Sequence, residues 1–188
     1  MSVPGRRFIM ELTQVAKERR SVRAYKAGTT IEKSVIEEII DFTKNAPSWK
    51  NSQTPRYYAI TSPEKVAAIK EKCLPEFNAK SCADAPALIV TTFVKTRAGF
   101  NREGVADNEL GDEWGAYDLG LANAYLILKA KELGLDSLIM GIRDGQALRN
   151  ELGIADTEEV VAVISLGQRA DDPQMPKRKA TEDILKFF

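Results

Sequence analysis

Three arginines and a serine fall within five residues at Arg19-Arg20-Ser21-Val22-Arg23, in a 188-residue chain whose 27 Lys+Arg balance 27 Asp+Glu. Guanidinium forks at that spacing suit a phosphate or another planar polar group. The competing reading is a solvated helix end, where arginines are favoured by the helix dipole. A second candidate is Asn45-Ala46-Pro47-Ser48-Trp49-Lys50-Asn51-Ser52-Gln53. Its neutral amide and hydroxyl groups around an aromatic can read the edge of a heterocycle, or can form a polar turn. A third is Leu138-Ile139-Met140-Gly141-Ile142. A glycine at a strand end lets a ligand approach the backbone closely, although an ordinary turn uses the same residue. The last is Lys177-Arg178-Lys179, which is either a solvated tail or a further cationic wall.

Other chemistries are excluded by composition. The chain has no histidine, which removes Ser-His-Asp, Cys-His and histidine-based metal catalysis together. Cys73 and Cys82 stand without a Cys-x-x-Cys partner and read as free thiols of a reducing compartment. With zero net charge, a general nucleic-acid surface is not expected, and any anion site must be local. No signal peptide and no membrane-length apolar run is visible, so the expectation is a cytoplasmic protein. Neither G-x-G-x-x-G nor G-x-x-x-x-G-K-[ST] occurs. A nucleotide-type cofactor would therefore be held by side-chain cations and scattered amides.

The elements that must position these residues follow from periodicity. Phe8, Leu12 and Val15 predict a helix over about residues 5–18 that delivers the arginines. Thr29-Thr30-Ile31-Glu32 has the form of a capping box, opening a helix that carries Val35, Ile36, Ile39 and Ile40 and ends at Pro47. Strand formers at 57–61 are followed by Ser62 as N-cap and Pro63 in the first turn of another helix. Residues 86–93 and 160–166 read as interior strands, and 138–140 as a short one. Between them lie an irregular, mobile excursion over a site at 95–112 and a long helix over about 114–133, closed by Gly134. That helix is apolar nearly all round, so it is buried within the protomer or against a second subunit. A small helix over 146–152 ends at Gly153. The 184–188 tail, with Leu185, Phe187 and Phe188, is expected to pack on something. Four strands interleaved with helices make an α/β or α+β sheet protein of one domain over residues 1–188.

In their order and spacing the four segments resemble the nitroreductase family of FMN-dependent NAD(P)H oxidoreductases. The R-[RH]-S-x-[RK] signature is matched by Arg19 to Arg23, and P-S-x-x-N-x-Q by Pro47, Ser48, Asn51 and Gln53. Asn78 before Asp84-Ala85-Pro86 matches a third stretch. The D-x-G-x-A-x-x-N-L type of helix resembles Asp118-Leu119-Gly120-Leu121-Ala122-Asn123-Ala124-Tyr125-Leu126, and the basic pair after the last strand matches Arg178-Lys179. The resemblance implies an α+β fold with a central, mostly antiparallel mixed sheet flanked by helices. It also implies a homodimer whose 168–188 tail extends onto the partner. FMN would be bound tightly but non-covalently, its phosphate and ribityl chain held by Arg19, Arg20, Ser21, Arg23, Arg178 and Lys179, with Lys177 an alternative in the tail register. Pro47, Ser48, Asn51 and Gln53 would reach it from the other subunit. Asn78 would read the flavin edge, and the backbone of Met140 and Gly141 would lie near the reactive ring nitrogen.

The implied reaction passes a hydride from NAD(P)H through FMN to a nitroaromatic, quinone or activated alkene by a ping-pong mechanism. No metal, nucleic acid or membrane takes part. The competing reading is an FMN storage or sensor protein without turnover. Two departures, Thr54 after Gln53 and an excursion offering only Phe100 and Trp114, leave the acceptor and the choice between NADH and NADPH open.

Overall fold

A computed structural model describes residues 11–188. The element order is α1 (Leu12–Glu18), α2 (Lys33–Thr43), a 3-10 turn (Trp49–Asn51), β1 (Pro55–Ile60), α3 (Pro63–Cys73), α4 (Glu76–Ser81), β2 (Ala87–Val94), α5 (Glu113–Glu132), β3 (Asp136–Met140), α6 (Gly145–Leu152), β4 (Glu158–Gly167) and a second 3-10 turn (Thr181–Asp183). The strands lie in the order β1-β2-β4-β3 and pair antiparallel throughout. Parallel pairing enters through one isolated bridge, Ser21 to Ser137.

Strand alternation divides the core into two layers. Leu88, Val90 and Val163 face α3 and α6, together with Leu138, Met140, Val22 and Tyr25. Ala87, Ile89, Ile164 and Leu166 face the other way, against Ile36 and Ile39 of α2 and Leu126 and Ala130 of α5. Because β2 and β4 are covered on both faces, their sequences are continuous apolar runs. At the start of α5, a Cβ on Gly115 would overlap the Phe93 ring. A glycine there lets the helix settle directly on the sheet.

Several local expectations change. Of the predicted first helix, residues 5–10 lie outside the described region. The arginine cluster is on extended backbone beyond α1, whose C-cap is Arg19. The capping box at Thr29 to Glu32 does not form. Glu32 is the N-cap, without a side-chain cap bond, and Thr29 Oγ1 instead donates to the Lys26 carbonyl at 3.0 Å. α2 stops at Thr43, short of Pro47, where Asn45 Nδ2 caps the Phe42 carbonyl at 2.9 Å. α4 is an element that periodicity did not reveal. The 95–112 excursion is built of hydrogen-bonded turns, with Asn101 Oδ1 accepting from the amides of Glu103 and Val105. By contrast, Ser62 does cap α3 by accepting from the Lys65 amide at 3.3 Å, and Gly153 closes α6 in the left-handed region. The start of the tail is bonded to residues 24–26, whereas its end stands exposed: Ile184 is 71% and Phe187 90% exposed.

Candidate functional site

The residues singled out in the sequence gather into two groups. The first runs along β3, an edge strand. Residues 19–26 lie beside it, fixed by hydrogen bonds from the Val22 amide to the Ser137 carbonyl (3.0 Å) and from the Lys26 amide to the Gln168 carbonyl (2.9 Å). Tyr25 anchors the segment from below, its hydroxyl 2.8 Å from Ser165 Oγ. Burial is the main force raising the Tyr25 phenol, so it stays neutral.

A clamp at the end of β4 completes the support. Arg169 donates to both carboxylate oxygens of Asp136 (2.9 and 2.6 Å) and to the Glu18 carbonyl (3.1 Å). Burial alone would raise the Asp136 carboxyl. Arg169 and Lys131 more than reverse this and hold it below the usual carboxylate range.

Within the cluster the arginines divide their work. Arg20 folds back onto the carbonyls of Lys17 and Arg19 and so closes α1; these bonds place its guanidinium at the helix end. Arg23 reaches only the Ser21 carbonyl, at 3.3 Å. Arg19 pairs with no carboxylate among the described residues. Its guanidinium pKa is lowered by burial first, then by the positive fields of Arg178 and Arg20. Arg178 of the tail therefore lies within electrostatic reach of Arg19, although it is exposed, as are Lys177 and Lys179. Among the described residues this concentration of positive charge has no carboxylate paired to Arg19, an arrangement that favours an anion.

Further along the same edge stand Met140, buried, and Gly141, exposed. A Cβ built on Gly141 would meet no atom of the described residues within 4 Å, and its φ is not left-handed, so the backbone there is open to its surroundings. Asn78 of α4 is brought to this point. It is buried and its Nδ2 donates to the Ile142 carbonyl at 2.8 Å. Asn78 thereby fixes the 140–142 turn, and only its oxygen and remaining N–H are left for a ligand.

The second group is the 47–53 loop, which leads into β1 at the opposite edge of the sheet. Ser48 Oγ accepts from the Gln53 amide at 3.0 Å and closes the loop. Lys50, Asn51 and Gln53 all have left-handed φ (45°, 56° and 48°), each costing about 1–2 kcal/mol for a non-glycine residue. The loop is held there by groups not anticipated as supports. Asp118 of α5, buried, accepts from the Trp49 amide at 2.8 Å. The Trp49 ring lies against Trp114 at 4.6 Å, and Trp114 meets Tyr117 edge-on at 5.6 Å. The signal was present in the D-x-G-x-A stretch and in the Trp114–Asp118 spacing of one helical turn. What was missing was the partner across the fold. Burial raises the Asp118 carboxyl, with the Trp49 amide opposing. The cavity beside it, about 370 Å³, is lined by Pro47, Ser48, Gln53, Tyr57 and Asp118 among others.

One chain does not bring the two groups together. Three interstrand spacings separate the edges of the sheet, about 14 Å. No helix among the described residues is long and apolar enough to cross a membrane, and no His/Cys/Asp/Glu cluster among them could hold a metal.

The sequence model of the Nitroreductase family matches residues 16–81 and 74–168. The chain belongs to the nitroreductase family. MhqN of Bacillus subtilis (strain 168), provisionally named an NAD(P)H nitroreductase, is 24% identical over 95% of this chain and 99% of its own. Among solved structures, a family member from Exiguobacterium sibiricum 255-15 in complex with FMN superposes with a TM-score of 0.79, at 23% identity over 95% of this chain and 98% of that one. An enone reductase of gut-bacterial fatty acid saturation metabolism superposes with a TM-score of 0.83, at 19% identity over 94% of this chain and 97% of that one.

Proposed function

We propose that this nitroreductase-family chain is an FMN-dependent NAD(P)H oxidoreductase that works as a homodimer. The observation carrying the reading is the β3 edge. Arg19, two residues from the Ser21–Ser137 bridge, sits in the field of Arg178 with no carboxylate partner among the described residues, and Gly141, four residues beyond Ser137, opens the backbone at the other end. At about 3.3 Å per residue the separation is about 13 Å, enough to set a phosphate at one end and a planar ring at the other.

Arg19, Arg23 and Arg178, with Ser21, Arg20 and Lys179 around them, would hold the FMN phosphate and ribityl chain. Asn78 and the backbone of Met140 and Gly141 would meet the ring. Pro47, Ser48, Asn51 and Gln53 would approach from the partner, whose tail reaches back over the first protomer. When bound, FMN would supply the two-electron redox chemistry that couples oxidation of NAD(P)H to reduction of a nitroaromatic, quinone or activated alkene in a ping-pong cycle. The chain's own part is to orient the ring, exclude water and offer donors fixed before the reaction begins. None of these tasks requires a protein nucleophile or histidine.

The test is the visible spectrum of the purified protein. A yellow protein is expected, bleached by NADH or NADPH and recoloured by a quinone or nitroaromatic. A colourless protein that takes up no added FMN overturns the reading. Yellow protein that neither nicotinamide bleaches would identify a flavin-binding protein without turnover.

A further inference from the structure

A cleft of about 690 Å³ opens between the 49–52 loop and the 96–104 turns of the excursion. Three cations line it: Lys50, Arg97 and Arg102. The Lys50 ammonium is neutralised by Asp107 at 2.7 Å, an ion pair that ties the two walls together. Arg97 and Arg102 form no ion pair among the described residues, and Glu103 is the one carboxylate in the lining. Trp49 and Phe100 supply aromatic surface in the same walls. The Trp49 Nε1 is buried and has no acceptor among the described residues. The excursion is held at the mouth by the Thr96 amide donating to Asp112 Oδ1 at 2.6 Å.

Two guanidiniums without an ion pair among the described residues, beside two aromatic side chains, select one ligand chemistry: an aromatic or heterocyclic group carrying an anion. Asn51 belongs both to this cleft and to the loop assigned to FMN contact. The cleft therefore continues from the place where substrates would meet the flavin. We propose that it is the anion subsite of the substrate path, with Arg97 and Arg102 holding a phosphate or carboxylate and Trp49 and Phe100 flanking the ring that bears it. The inference rests on the flavin oxidoreductase reading and adds a substrate class to it. The anion is either a phosphate of the nicotinamide dinucleotide or an acidic group on the acceptor.

The experiment is calorimetric titration of the holoprotein with adenosine 2′,5′-bisphosphate and, separately, with 4-nitrobenzoate, on the wild type and on the R97Q/R102Q double variant. At least one probe is expected to bind, with affinity falling as ionic strength rises, and to lose about tenfold in the double variant. Weakened bisphosphate binding assigns the subsite to the dinucleotide, and weakened nitrobenzoate binding assigns it to the acceptor. Binding of neither probe to the wild type, or unchanged binding in the double variant, overturns the proposal. FMN content, read from the spectrum of the same samples, separates this failure from failure of the flavin reading: a yellow protein with no anion subsite keeps that reading and loses this one.

Discussion

At the residue scale, Asp118 and Arg19 show how charge is used on the two sides of the site. Asp118 is 2% exposed and spends one carboxylate oxygen on the Trp49 amide. Asp118→Ala leaves that N–H without its acceptor and should cost about 1–3 kcal/mol, with lower FMN content because three left-handed residues lose their restraint. Asp118→Asn keeps an acceptor and should cost less. Urea unfolding of the two variants checks the ranking. Because burial raises the folded pKa of Asp118, its contribution is fully present below the unfolded value and is lost as pH rises through the folded one. Wild-type stability relative to Asp118→Asn should therefore fall as pH rises from the acid side.

Arg19 is the opposite case. It sits in the field of Arg178 and Arg20 with no counter-anion among the described residues, so it adds affinity for an anion and little to folding. Arg19→Ala should weaken FMN about ten- to hundredfold, the ~1.5–3 kcal/mol of a charge-assisted contact. The melting temperature of the apoprotein should hold or rise slightly. Flavin-fluorescence titration and an apoprotein melt measure the two, and a large loss of stability would make Arg19 a structural residue. The arginines were legible as a cluster. That Arg20 closes α1 while Arg19 faces Arg178 was not, because the division depends on a tail more than 150 residues away.

At the element scale the decisive contact is the Asp136–Arg169 clamp, which joins β3, β4 and the end of α1. Breaking a buried pair costs about 3–5 kcal/mol. Lys131 remains 3.3 Å from Asp136, so Arg169→Ala should lose about 2–4 kcal/mol at neutral pH and release residues 19–26 with it. The folded pKa of Asp136 is depressed, so this contribution is present above the ordinary aspartate range and disappears as pH falls through the folded value. Denaturant midpoints of wild type and variant should diverge at pH 7 and converge in acid. Equal separation at both would remove the carboxylate from the account. Strands β2 and β4 were readable because double burial demands continuous apolar runs, and α3 because Ser62-Pro63 announces its start. α4 was not readable: it has six residues, opens on Pro75 without a side-chain cap and leaves Phe77 55% exposed, so no apolar period marks it. The excursion was legible only as irregular. Its turns depend on Asn101 and Asp112 side chains finding particular amides, which sequence order does not specify.

At the scale of the whole molecule, the two halves of the proposed site stand on opposite edges of one sheet, and two kinds of apolar surface are exposed among the described residues. One is the outward side of α5, where Ala116, Gly120 and Ala124 are exposed and Tyr117 is 59% exposed. The other is the tail, with Leu185 46% and Phe187 90% exposed. The proposed two-fold assembly would satisfy all three at once: it would cover α5, give the tail a surface, and set the 47–53 loop of one protomer over the β3 edge of the other. If so, cofactor binding and dimerisation are linked, and anything that separates the protomers should release FMN. Ala124→Arg places a long cation on the outward face of α5, at an exposed position. It should give a folded monomer by light scattering and circular dichroism that binds FMN at least a hundredfold more weakly, an estimate of about 3 kcal/mol for losing the loop's contacts. A variant that remains dimeric and yellow would take α5 out of the interface. A monomer that keeps its FMN would mean that a single chain completes the site, and the 47–53 loop would lose its assigned role.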